Sequence, residues 1–113
     1  MKTNLDRARR TLTVTIRGDL VSTTADLLRP EITRLLEAPP EASGDWRCFQ
    51  LDLGGATMVD SVGLNFIITI LKTVQKRGAK MQILYTNQNV HRIFLFTRME
   101  KHVELVRTAA MAV

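Results

Sequence analysis

The sequence predicts an α/β layer structure, with helices covering a largely parallel or mixed sheet. Three observations carry this. Apolar residues alternate with threonines from Thr11 to Ile16, the period of a half-buried strand. Between Ser61 and Arg77 they recur instead at three- and four-residue steps, the period of a helix. The two patterns then take turns along the whole chain, without internal repeats or low-complexity segments.

In the first strand Leu12, Val14 and Ile16 share one face, and Gly18 ends it. A helix over Ser22–Ala38 follows, its apolar side made by Ala25, Leu28, Ile32, Leu35 and Leu36. Thr23 and Asp26 resemble a capping box at its start. Pro30 lacks a backbone donor, so the regular helix is expected to begin near it or to be distorted before it. Pro39, Pro40, Ser43 and Gly44 mark a loop, and Arg47–Leu53 reads as a strand with Phe49, Leu51 and Leu53 on one side, closed by Gly54 and Gly55. The long helix has Leu64, Ile67, Ile68, Leu71 and Val74 as its core stripe and Gly78 as its stop. Met81, Ile83 and Tyr85 indicate another strand. Val90, Ile93, Phe94 and Phe96 are the candidate core of a helix over Asn89–Met99, and His102–Val106 reads as a last short strand.

With 113 residues, 45% of them hydrophobic and 24% charged, the chain suits one domain with one core, residues 1–10 being a flexible or edge segment. No apolar run approaches the roughly 20 residues that cross a bilayer, and the polar start Met1–Arg10 lacks a targeting pattern, so the expected location is cytosolic. Cys48 is the only cysteine, which excludes an internal disulfide and speaks against a structural metal site; it reads as a small apolar strand residue. Sixteen Lys and Arg against eleven Asp and Glu give a net charge of +5. The cations gather at Lys2, Arg7, Arg9 and Arg10 and around Lys72, Lys76, Arg77 and Lys80, with little aromatic interleaving and no nucleic-acid motif. They read as a solvated basic face or as a surface for an acidic protein.

One constellation carries chemistry. The run Leu51-Asp52-Leu53-Gly54-Gly55-Ala56-Thr57-Met58-Val59-Asp60-Ser61-Val62-Gly63-Leu64 leaves a strand and puts an acid and a hydroxyl at the start of a helix. There the first backbone N–H groups lack partners, so Asp60 or Ser61 can cap them and an added phosphate is accommodated. Ordinary capping accounts for these two residues as well.

The order of further segments resembles the STAS domain family, and within it the anti-sigma factor antagonists. The resemblance rests on Gly18-Asp19-Leu20, Leu51-Asp52-Leu53, Val59-Asp60-Ser61-Val62-Gly63-Leu64, Gly78-Ala79-Lys80-Met81-Gln82-Ile83-Leu84 and Asn89-Val90-His91-Arg92-Ile93-Phe94. It implies a single STAS domain with a mixed four- to five-stranded sheet and helices mainly on one side. It also implies a switch without catalysis or cofactor. The unmodified protein binds a serine-kinase anti-sigma factor, phosphorylation at Ser61 ends the binding, and a metal-dependent serine phosphatase restores it. Asp60, Asp52 and Gly63 would shape the site. The chain departs from the family pattern at Val21, where an acid is usual, at Val62, where a second serine is common, and at Asn65, where a glycine is common.

An enzyme would use Ser61 as a nucleophile at a strand-to-helix elbow, but Val59 replaces the first glycine of that motif, and His91 falls on an amphipathic helix as a surface residue. Gly54-Gly55 and Gly63 match neither a phosphate loop nor a dinucleotide fingerprint. The alternative within the fold is a STAS subunit of a membrane lipid- or anion-transport complex, which the basic charge favours. Placing residues about 100° apart on the long helix sets Val62 and Phe66 opposite the core stripe and Ile70 on the flank. These three are expected to form an open docking strip beside Ser61; burial beneath the helix of Ile93 and Phe94 is the other possibility.

Overall fold

The polar N-terminus forms strand β1 (Lys2–Asp6), which turns through residues 7–10 and pairs antiparallel with β2 (Thr11–Thr15). In the computed structural model, which describes residues 1–38 and 44–108, the sheet continues through β3 (Cys48–Leu53), β4 (Lys80–Tyr85) and β5 (Glu104–Arg107). Their order is β1-β2-β3-β4-β5, and every pair after the first is parallel. Parallel neighbours require long crossovers. Helices α1 (Ser22–Glu37), α2 (Ser61–Lys76) and α3 (Gln88–Phe96) supply them, the last with a 3-10 turn over Met99–Lys101. Segment 1–10 thus includes an edge strand, while Pro39, Pro40 and Ser43 of the expected loop lie outside the described residues.

Alternation decides which face the helices cover. Leu12 and Val14, with Phe49, Leu51 and Leu53 and with Met81, Ile83 and Tyr85, point into a single apolar core shared with all three helices. The opposite face is half-exposed and polar. Across it the Thr13 hydroxyl donates to Gln50 Oε1 (2.9 Å), Gln50 Nε2 to Gln82 Oε1 (2.7 Å), and Gln82 Nε2 to Glu104. Cys48 lies half-buried on this face; burial, with the negative charge of Glu104, pushes its thiol up, as for an unreactive cysteine.

The helices correct several expectations. Regular α1 geometry runs unbroken from Ser22 through Pro30. Pro30 is exposed, where water can take the carbonyl its missing N–H would have bonded. On α2, Ile67, Leu71 and Val74 are buried as the stripe predicts, with Leu64 and Ile68 half-buried. Phe66 (1% exposed) and Ile70 (2%) are buried too, so they form no open strip. The covering helix is α1, not α3: α1 packs along α2, and the Arg29 guanidinium lies 5.1 Å from the Phe66 ring centroid. A helix wedged between a sheet and another helix buries two faces. Gly78, at φ +81°, ends α2 as expected, its amide donating to the Gln75 carbonyl (2.9 Å). Phe94 fills the core edge-on to Tyr85 (6.2 Å), whereas Phe96 is 92% exposed and takes no part in it.

Phe66→Ala is therefore expected to destabilise the domain by about 3–5 kcal/mol in denaturant titrations, the cost of a buried aromatic cavity. A surface strip would lose less than about 0.5 kcal/mol.

Candidate functional site

In a sheet of parallel strands, the loops leaving the carboxyl ends collect at one end of the domain. Here the loop after β2 and the loop after β3 are tied together. Leu20 N donates to the Met58 carbonyl (3.0 Å), Asp60 N donates to the Leu20 carbonyl (3.2 Å), and Leu20 and Val59 form an isolated parallel bridge. The contact is close enough to demand glycine at position 63. A Cβ there would stand 2.1 Å from the Leu20 carbonyl oxygen, a backbone atom that cannot yield.

Asp60 is the N-cap of α2, its Oδ1 accepting from Gly63 N at 2.8 Å. Its other oxygen reaches across to α1, where Oδ2 accepts from Ser22 N at 2.9 Å. One carboxylate thus caps two helices. This replaces the capping box expected from Thr23 and Asp26: the N-cap of α1 is Val21, whose side chain makes no cap bond. The capping acid comes from 38 residues along the chain, which local sequence spacing does not reveal.

Ser61 is the first residue of α2 and is exposed, and no described residue hydrogen-bonds its hydroxyl. Exposed Met58 (48%) and Val62 (37%) precede and follow it in the chain. Of the residues singled out in the sequence, Asp60, Ser61, Val62 and Gly63 come together here. Phe66 and Ile70 lie beneath, in the core. Asp52 stands apart: it occupies a face-out position of β3 and accepts from Gly54 N at 2.9 Å, bracing the turn rather than touching Ser61. His91 is no plain surface residue, because its Nδ1 hydrogen-bonds the Tyr85 hydroxyl and its ring stacks on Tyr85 (5.1 Å).

Asp19 joins this junction without having been singled out as a site residue in the sequence. Its Oδ1 accepts from Thr57 N (2.7 Å), the Thr57 hydroxyl (2.9 Å) and Met58 N (3.2 Å), binding the two loops a second time. The amide and hydroxyl of Thr57 hold its carboxyl below the ordinary value of 3.8. Its position after Gly18 was the available signal.

With that geometry in place, comparison with known proteins gives the class. A family model described as the STAS domain matches residues 2–112, and the chain belongs to that family. Similar solved structures include a Thermotoga maritima protein described as an anti-sigma factor antagonist, with a TM-score of 0.78 at 18% identity over 95% of this chain and 86% of that one. The anti-sigma factor antagonist SpoIIAA in its unphosphorylated form gives 0.68 at 12% identity over 96% and 88%. SpoIIAA of Bacillus in its phosphorylated form gives 0.65 at 13% over 96% and 92%. At these identities the likeness is one of fold. No curated relative matches at the level of sequence.

A pH series tests the Asp19 clasp. Because the folded value is lowered, its stabilisation is complete above about pH 4 and is lost as pH falls through the folded value. Asp19→Asn should melt below the wild type at neutral pH, and the gap should close as the solution is acidified. A gap that stays constant with pH would show that the charge of Asp19 is not what holds the loops.

Proposed function

We propose that the chain is a non-catalytic partner switch of the anti-sigma factor antagonist type, acting in the cytosol. Unmodified, it docks on a serine-kinase anti-sigma factor; phosphorylation of Ser61 by that kinase ends the contact, and a metal-dependent serine phosphatase restores it. The reading rests on one observation above all. Ser61 presents a free, exposed hydroxyl at the first position of α2, with apolar Met58 and Val62 close to it in the chain and Asp60 fixing the helix end beneath it.

Each part has a physical role. Both Asp60 oxygens already accept amide protons, so Asp60 acts as a fixed cap and removal of the Ser61 proton falls to the kinase. A phosphoserine adds about −1.5 to −2 charge, which the N-terminus of α2 tolerates without unfolding. In an apolar contact made by Met58 and Val62 the same charge is costly, and partner binding weakens by about 2–5 kcal/mol. Val21, half-buried at the N-cap of α1, stands where the family pattern has an acid, so one carboxylate of that pattern is missing near the phosphate.

A STAS subunit of a lipid- or anion-transport complex is the second reading, favoured by the exposed arginines and lysines. Co-purification separates the two, an ATP-binding serine kinase supporting the first and a membrane ATPase the second.

The direct test is labelling by the co-purified kinase with ATP, followed by mass spectrometry. Ser61→Ala should abolish labelling and leave the melting temperature unchanged, while Met58→Ala with Val62→Ala should weaken kinase binding at least about tenfold at little cost in stability. Labelling that survives in Ser61→Ala would place the switch elsewhere.

A further inference from the structure

The described cations are concentrated at the end of the sheet away from Ser61, and the strand register puts them there. Asp6 pairs with Thr11, Thr11 with Cys48 and Cys48 with Lys80, so the β1–β2 turn and the starts of β3 and β4 share one edge. The turn carries Arg7, Arg9 and Arg10, all exposed. Exposed Arg47 precedes β3 and exposed Lys80 opens β4, and Lys80 N donates to the Arg47 carbonyl (2.9 Å). Helix α2 returns to the same edge at Lys76, and the chain after α3 returns there through Lys101 and His102, the latter beside Lys80 around a shallow groove. Acidic neighbours offset part of this charge: Glu104 lines the same groove and exposed Glu100 lies between Arg98 and Lys101 in the chain. Asp6 meets Arg9 at 3.9 Å and Asp45 meets Arg47 at 3.6 Å, both at the surface where such pairs are weak. No described acid forms an ion pair with Arg7, Arg10, Arg98 or Lys101.

At one corner of this end α3 leaves two apolar side chains in water, Leu95 (46% exposed) and Phe96 (92%). Phe94 has taken the core position, and exposed Arg98, Glu100 and Lys101 follow within five residues of Phe96.

We propose that this end of the domain docks on an anionic lipid surface, Phe96 and Leu95 entering the headgroup layer while the arginines and lysines meet lipid phosphates. Charge complementarity selects an anionic surface. Strand ends about 4.8 Å apart set the cations in a row that suits a planar bilayer, and an apolar tip with a basic rim is the composition of an interfacial anchor. A nucleic-acid duplex would use the cations and leave Phe96 in water. In the docked orientation Ser61 faces away from the bilayer and stays open to a partner. The proposal stands independently of the switch at Ser61.

Co-sedimentation of the full chain with vesicles tests it. Binding is expected to phosphatidylcholine mixed with phosphatidylglycerol and not to phosphatidylcholine alone, and it should fall as salt rises. Phe96→Ser should weaken it about tenfold, and Arg7→Glu with Lys101→Glu at least as much. All three positions are exposed, so circular dichroism should show an unchanged fold. No sedimentation with the mixed vesicles at low salt overturns the proposal, as does binding that Phe96→Ser leaves unchanged. Tighter binding to duplex DNA than to the mixed vesicles would assign the basic end to nucleic acid instead and overturn it too.

Discussion

The carboxylate of Asp60 holds the N-termini of the two long helices together. Each helix starts with donors that its own backbone cannot satisfy, and the N-cap of α1 is Val21, which has no side-chain acceptor. Supplying both helices from one residue fixes their starts relative to each other. The close pass of Gly63 over the Leu20 carbonyl and the clasp of Asp19 on Thr57 and Met58 serve the same junction. The exposed Ser61 therefore rests on a rigid base. Charge added to it can alter what the surface binds without first having to be absorbed by the fold.

The fold was legible because its signals are local. Alternation in β2 and β3 and the three- and four-residue steps of α2 each report one packing surface, and the structure places Val14, Leu51, Ile67 and Val74 as those patterns require. The burial of Phe66 and Ile70 under α1 escaped the reading for the same reason. A helical wheel assumes one buried face, whereas α2 meets the sheet on one side and α1 on the other. Phe96 failed in the opposite sense: it fits the helical pattern of its segment, but α3 ends there and Phe94 already occupies the core.

The site was legible as a strand-to-helix turn bearing an acid and a hydroxyl. Its long-range half was hidden. Neither the bond from Asp60 to Ser22 nor that from Asp19 to Thr57 leaves a mark in local spacing, since each joins residues 38 apart whose loops meet only when β2 and β3 pair. The carboxylate of Asp52 accepts from Gly54 N and braces the turn after β3. The domain that results has two unlike ends, a capped and clasped one bearing Ser61 and a basic one bearing Phe96.

Amide hydrogen exchange followed by NMR in the wild type and in Asp60→Ala tests the shared cap most directly. Loss of the carboxylate should speed exchange at Ser22 and at Gly63 together, by about fivefold to tenfold each, while Val74 near the far end of α2 keeps its protection. Faster exchange at Gly63 alone, with Ser22 unchanged, would contradict a single carboxylate holding both helices.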